Sequence, residues 1–102
     1  MAMATNTIQI NYDLRKPGRD YQPVYDYIKS FSSWAHPLAS LWLVRTGKSA
    51  SAVRDELNRL VDPNDEVATF NVTGVAWATN FSDASTEWMH QNMGISSRRQ
   101  AA

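Results

Sequence analysis

The stretch Thr7-Ile8-Gln9-Ile10-Asn11-Tyr12-Asp13-Leu14 decides the fold. Ile8, Ile10 and Tyr12 alternate with Gln9, Asn11 and Asp13, the period of a strand with one apolar and one polar face. Arg15-Lys16-Pro17-Gly18-Arg19 interrupts that period, and Pro-Gly signals a turn. A strand that buries one face needs a second layer, so the next segments must supply it.

They do. Asp20 can cap a helix, Pro23 is tolerated in its first turn, and Val24, Ile28 and Phe31 recur at helical spacing beside Tyr21, Tyr25 and Tyr27. This predicts an amphipathic helix of about 11 residues. Leu38 to Thr46 is apolar on both parities and lies between Pro37 and Gly47, which reads as a strand covered on both faces. The second cover is expected from another subunit, with Trp42 and Val44 as interface residues. Ser49 or Ser51 caps a second helix with the apolar stripe Val53, Leu57, Leu60 and Val61, and Asp62-Pro63-Asn64-Asp65 stops it.

Glu66 to Thr73 alternates again, Gly74 marks a turn or bulge, and Val75 to Thr79 reads as a short final strand. Ser82 or Asp83 caps a third helix that Gly94 ends. The order is β-α-β-α-β-β-α, or β-α-β-β-α-β-like if the Trp34 region adds a strand. Both orders place helices on one face of a mainly antiparallel sheet. The expectation is an α+β, ferredoxin-like sandwich: one domain over 7–93, with flexible termini at 1–6 and 94–102.

Composition narrows the function classes. With 102 residues, 43% hydrophobic and 20% charged, the chain can bury one modest core. The absence of cysteine removes disulfides, thiolate catalysis and Cys-based zinc sites. It fits a reducing compartment. Met1 to Asn6 lacks a signal-peptide pattern, and no apolar run spans a bilayer, so a cytoplasmic protein without membrane contact is expected. Ten basic residues balance ten acidic ones, without the excess of a dedicated nucleic-acid binder.

Candidate chemistry gathers at the end of the first strand. Asp13 sits on the polar parity and enters a loop with Arg15, Lys16 and Arg19. One carboxylate is a poor Mg²⁺ site, but two symmetric copies can share an ion and activate water. The plainer reading is a carboxylate that orders its loop or pairs with Arg15 or Arg19. Arg15, Lys16 and Arg19, flanked by Tyr12 and Tyr21, suit a phosphate backbone and a stacked base, or simply a solvated loop. Gln9, Asn11, Thr69, Asn71 and Thr73 share the polar parity of two strands and would form one wet sheet face if those strands are neighbours. His36 and His90 lie in no ligand spacing.

Several of these stretches also carry a resemblance. Ile8 to Leu14, an apolar strand running into Tyr12-Asp13, is similar to the opening strand of the small CRISPR-associated spacer-acquisition subunits. Ser40 and Trp42-Leu43-Val44 before Thr46-Gly47 resemble that family's second strand. Tyr12-Asp13-Leu14, Lys16-Pro17-Gly18, Ser33-Trp34, Asn64-Asp65-Glu66 and Val72-Thr73-Gly74 match more closely the SinR-like small bacterial proteins. VapD-type toxins, which are RNases, look like distant relatives. The resemblance covers roughly residues 7 to 93 and implies a ferredoxin-like homodimer. It implies that paired Asp13 carboxylates bind Mg or Mn as metal ligands and catalytic groups of a nuclease acting on RNA or DNA. Arg15, Lys16, Arg19 and Tyr12 would contact the nucleic acid. The alternative of the same fold is a non-enzymatic dimeric protein-interaction module.

Overall fold

The computed structural model describes residues 5–93. Seven elements follow in the order β1 (Asn6–Asp13), α1 (Gln22–Lys29), β2 (Ser33–Leu38), β3 (Leu41–Thr46), α2 (Ala50–Asn58), β4 (Glu66–Asn71) and α3 (Asp83–Asn92). They form an α+β fold with one four-stranded sheet, order β2-β3-β1-β4, antiparallel at every pair. No helix of the described residues is long and apolar enough to cross a membrane.

β1 runs at the centre, where its alternation requires it to be. Ile8 and Ile10 are fully buried and pack with Trp42 and Val44 of β3 against Val24 and Ile28 of α1 and Val53 and Leu57 of α2. Complete burial of one such side chain contributes about 1.5–3 kcal/mol. Ser49 caps α2, its Oγ accepting from the Ala52 N–H at 3.1 Å. Ser82 caps α3 in the same way, accepting from Ser85 at 3.3 Å. α1 begins at Gln22 with Pro23 in its first turn, and Asp20 accepts the Gln22 N–H at 2.9 Å.

Two expected strands are corrected. The apolar run from Leu38 is no single strand: Leu38 ends β2, Ala39 and Ser40 turn, and β3 starts at Leu41. The Trp34 region does add a strand, β2, with Pro37 inside it and a register irregularity between Ala35 and Leu38. Proline in a sheet is tolerated at an edge, and β2 is one. Val75 to Thr79 forms no strand. Gly74 takes φ +72°, and its N–H bonds the Met93 carbonyl at 2.6 Å. The segment after it packs Trp77 and Phe81 beside α3.

The third helix overturns the most. Ala35, Leu43, Met89 and Met93 make a second buried cluster on the sheet face opposite α1 and α2. The helices therefore do not all lie on one face of the sheet, as expected: α3 of the same chain supplies the second cover of β3. Trp42 and Val44, expected at an interface, are 1% and 0% exposed in the domain's own core. A ring of polar contacts fastens the end of α3. Arg45 donates to the Asn92 carbonyl at 2.8 Å and to Thr7 Oγ1 at 3.0 Å; Thr7 Oγ1 also donates to Asn92. A cation at a helix C-terminus meets carbonyls without intrahelical partners and the negative end of the dipole.

Asn6, expected in a loose arm, opens β1. The remaining arm, residues 1–4, and the expected tail 94–102, including the Gly94 stop, lie outside the described residues.

Candidate functional site

β1 carries Asp13 to the rim of the sheet, where it stands opposite Glu66 of β4 in the strand register. Like charges in a cross-strand pair repel. Arg15 resolves this by bridging them: its Nη2 lies 2.8 Å from Asp13 and pairs with Glu66 as well. The hydrogen bond to Asp13 and the charges of both carboxylates raise the Arg15 pKa further. Asp13, Arg15 and Glu66 all keep more than half of their side-chain surface in solvent. Asp13 is thus an ion-pair partner of Arg15.

The rest of the basic loop is engaged too. Lys16 and Arg19 reach Asp62 at 3.5 and 3.6 Å, and Asp62 is 8% exposed. Asp65 accepts from the Arg15 N–H at 2.7 Å, the Tyr21 hydroxyl at 2.7 Å and the Asp62 N–H at 2.8 Å. Desolvation pushes the Asp65 carboxyl up, but these donors and the Arg19 charge outweigh it and leave its pKa below the usual range. Burial, then the bond to Asp65, raises Tyr21. Three cations therefore face four carboxylates, Asp13, Asp62, Asp65 and Glu66, in a knot tying the β1–α1 loop to the α2–β4 turn. Asp62 and Asp65 were legible in the sequence as a helix stop; that they answer the basic loop needed the fold.

Tyr12 points to the other side of the sheet from Asp13. It accepts from Trp42 Nε1 at 2.9 Å, donates to the Ala39 carbonyl at 3.1 Å and packs on Tyr25. Burial, opposed in part by the Trp42 bond, raises its pKa. His36 stacks on Trp42 with centroids 3.5 Å apart and planes 9° from parallel. Tyr12 is thereby built into an aromatic cluster.

The single wet sheet face does not form. β1 and β4 pair Gln9 with Phe70, Ile10 with Thr69 and Asn11 with Ala68. Directly paired residues share a face, so Gln9 and Asn11 lie with Ala68 and Phe70, while Thr69 and Asn71 lie on the helix side. Thr69 there donates to the Ala50 carbonyl at 2.7 Å. Gln9 borders a cavity with Leu43, Met89 and Met93 of the α3 cluster, whereas Phe70, its partner on β4, is 53% exposed. A shallow cleft of about 370 Å³ continues the strip past Asn11 and Ser40 to Asp13 and Glu66. Among the described residues no group of three or more His, Cys, Asp or Glu is placed to hold a metal ion.

No family model matches the chain, nor does any curated protein or solved structure.

Proposed function

We propose that the protein is a ferredoxin-like, non-enzymatic interaction module whose working unit is a homodimer joined through β4. The βαββαβ order of the first six elements, with a β2-β3-β1-β4 antiparallel sheet, supports the fold reading, and α3 is an addition on the other face. The observation that carries the functional reading is the state of β4: a regular outer strand, without proline, beside an uncovered strip that exposes Phe70. Such an edge is a template for another strand. The opposite edge, β2, is broken by Pro37 and an irregular register.

β4 is also self-complementary. The Val72 N–H bonds the Thr7 carbonyl at 2.9 Å, so Phe70, Ala68 and Glu66 turn their backbone groups toward β1. Val67, Thr69 and Asn71 turn theirs outward. A two-fold axis through Thr69 then sets Val67 opposite Asn71 and Ala68 opposite Phe70 of the second copy. No like charges meet, and each Phe70 covers the other copy's Ala68. Thr69→Pro tests this directly, since it removes an outward N–H and spares the bonds to β1. Sedimentation equilibrium should give a dimer for the wild type and a monomer for the variant.

A second reading, a divalent-metal nuclease using Asp13, is favoured by one observation: Glu66 supplies a second carboxylate across from it. A metal ion there must displace Arg15 from both. Cleavage of RNA or DNA with Mg²⁺ or Mn²⁺ that disappears in both Asp13→Asn and Glu66→Gln would favour this reading over the first.

A further inference from the structure

On the α3 face of the sheet a cavity of about 190 Å³ lies beside the second buried cluster. Leu41 and Leu43 of β3, with Gln9 of β1, form its floor, and Met89 and Met93 of α3 form one wall. The other wall is the 72–82 segment, which takes no helix or strand and contributes Trp77 and Phe81. These parts share one face of the sheet: Gln9 stands opposite Leu43 in the register, and Trp77 and Phe81 pack against the cluster of Leu43, Met89 and Met93. Val75 also lines the cavity and is exposed, so a ligand need not cross the core to reach it. We infer that this cavity binds a small neutral compound of one aromatic ring bearing a hydrogen-bond acceptor, which takes the indole N–H of Trp77.

The polar groups at the cavity argue for the acceptor. Gln9 Nε2 donates to Asn11 Oδ1 at 2.6 Å, and the Thr79 hydroxyl accepts from the Phe81 N–H at 3.4 Å. Trp77 Nε1 is buried and has no hydrogen-bond partner among the described residues. A buried N–H without an acceptor is costly, and an indole nitrogen can only donate. The group that relieves it must therefore bring an acceptor such as a carbonyl oxygen. No charged side chain lines the cavity. A charged ligand would lose its hydration there and gain no counter-charge, so the ligand is neutral. Size limits it to one ring: an apolar cavity of about 150 Å³ takes benzene. The sulfurs of Met89 and Met93 and the rings of Trp77 and Phe81 favour an aromatic body over an aliphatic one.

The inference is independent of the proposed dimer, because no cavity residue belongs to β4. Acetophenone and its acceptor-free isostere α-methylstyrene, titrated into the full chain and followed by NMR, test it. With acetophenone, saturable shifts are expected at the methyl groups of Met89 and Met93 and at the Trp77 indole N–H. The indole proton should move downfield with acetophenone and not with α-methylstyrene, a readout that needs no variant. Trp77→Phe keeps an aromatic ring and removes the donor. It should weaken acetophenone about tenfold more than α-methylstyrene, the loss of one hydrogen bond. No saturable shift with acetophenone up to about 10 mM, too weak to count as a site, overturns the inference. So do shifts centred away from Met89 and Met93, an indole proton that moves alike with both compounds, or equal losses of the two in Trp77→Phe.

Discussion

Replacing Arg45 with Met keeps most of the side chain's apolar stem and removes its charge. The hydrogen bonds to the Asn92 carbonyl at the end of α3, at 2.8 Å, and to Thr7 Oγ1 of β1, at 3.0 Å, disappear together with the bond to Thr5. A bond from a charged donor contributes about 1.5–3 kcal/mol when lost, and a cation at a helix C-terminus about 0.3–1 kcal/mol. Thr7 also bonds Asn92, and Gly74 donates to Met93, so part of the helix end stays satisfied. The expected cost is about 2–3 kcal/mol, a large part of the roughly 5–15 kcal/mol that holds a domain of this size. The melting temperature should fall by about 10 °C or more. Urea unfolding followed by far-UV circular dichroism measures the loss, and tryptophan fluorescence reports on Trp88, which donates to Ser33 at 3.0 Å beneath α3. A loss below about 0.5 kcal/mol, the level of an ordinary surface substitution, would refute the clamp.

Three further outcomes are expected. Asp65 titrates below the usual carboxylate range in the folded chain, so its contribution is present above the unfolded pKa and is lost as pH falls through the folded one. Asp65→Asn should therefore be less stable than the wild type at neutral pH and show a flatter loss of stability into acid, read from urea midpoints across pH. Ser49→Ala removes the acceptor of the Ala52 N–H and should cost about 1 kcal/mol by the same assay. Asp13→Asn touches an ion pair whose two side chains are 51% and 61% exposed and should cost at most about 0.5 kcal/mol.

The sequence was most readable where one side-chain period governed a whole element. Ile8, Ile10 and Tyr12 announced β1, and Val24 with Ile28 and Val53 with Leu57 announced α1 and α2, because each pattern has a single buried stripe. The Leu38–Thr46 run misled because two features hide in it. Its hairpin turn, Ala39-Ser40, contains neither glycine nor asparagine, and its double apolar parity reflects a cover supplied by distant α3. Val75 to Thr79 has strand composition, yet its residues are recruited by packing against that same helix. Tertiary context overrides local propensity in such cases.

The site was less legible than the fold. Asp13 and the basic loop were located correctly at the end of β1, but their chemistry depends on Asp62, Asp65 and Glu66, about fifty residues away in sequence. The polar faces of β1 and β4 could not be assigned without the register, because a shift of one residue exchanges every side chain between the two faces. Nothing in the sequence singles out Arg45; its value lies in the helix end it meets.

β4 carries the proposed dimer. Sedimentation equilibrium of the wild type and Thr69→Pro at about 100 μM, where a dimer with micromolar Kd is almost fully formed, tests it most directly. A wild-type dimer that becomes a folded monomer on substitution is the predicted result. A monomeric wild type, or a dimer that Thr69→Pro leaves intact, contradicts it.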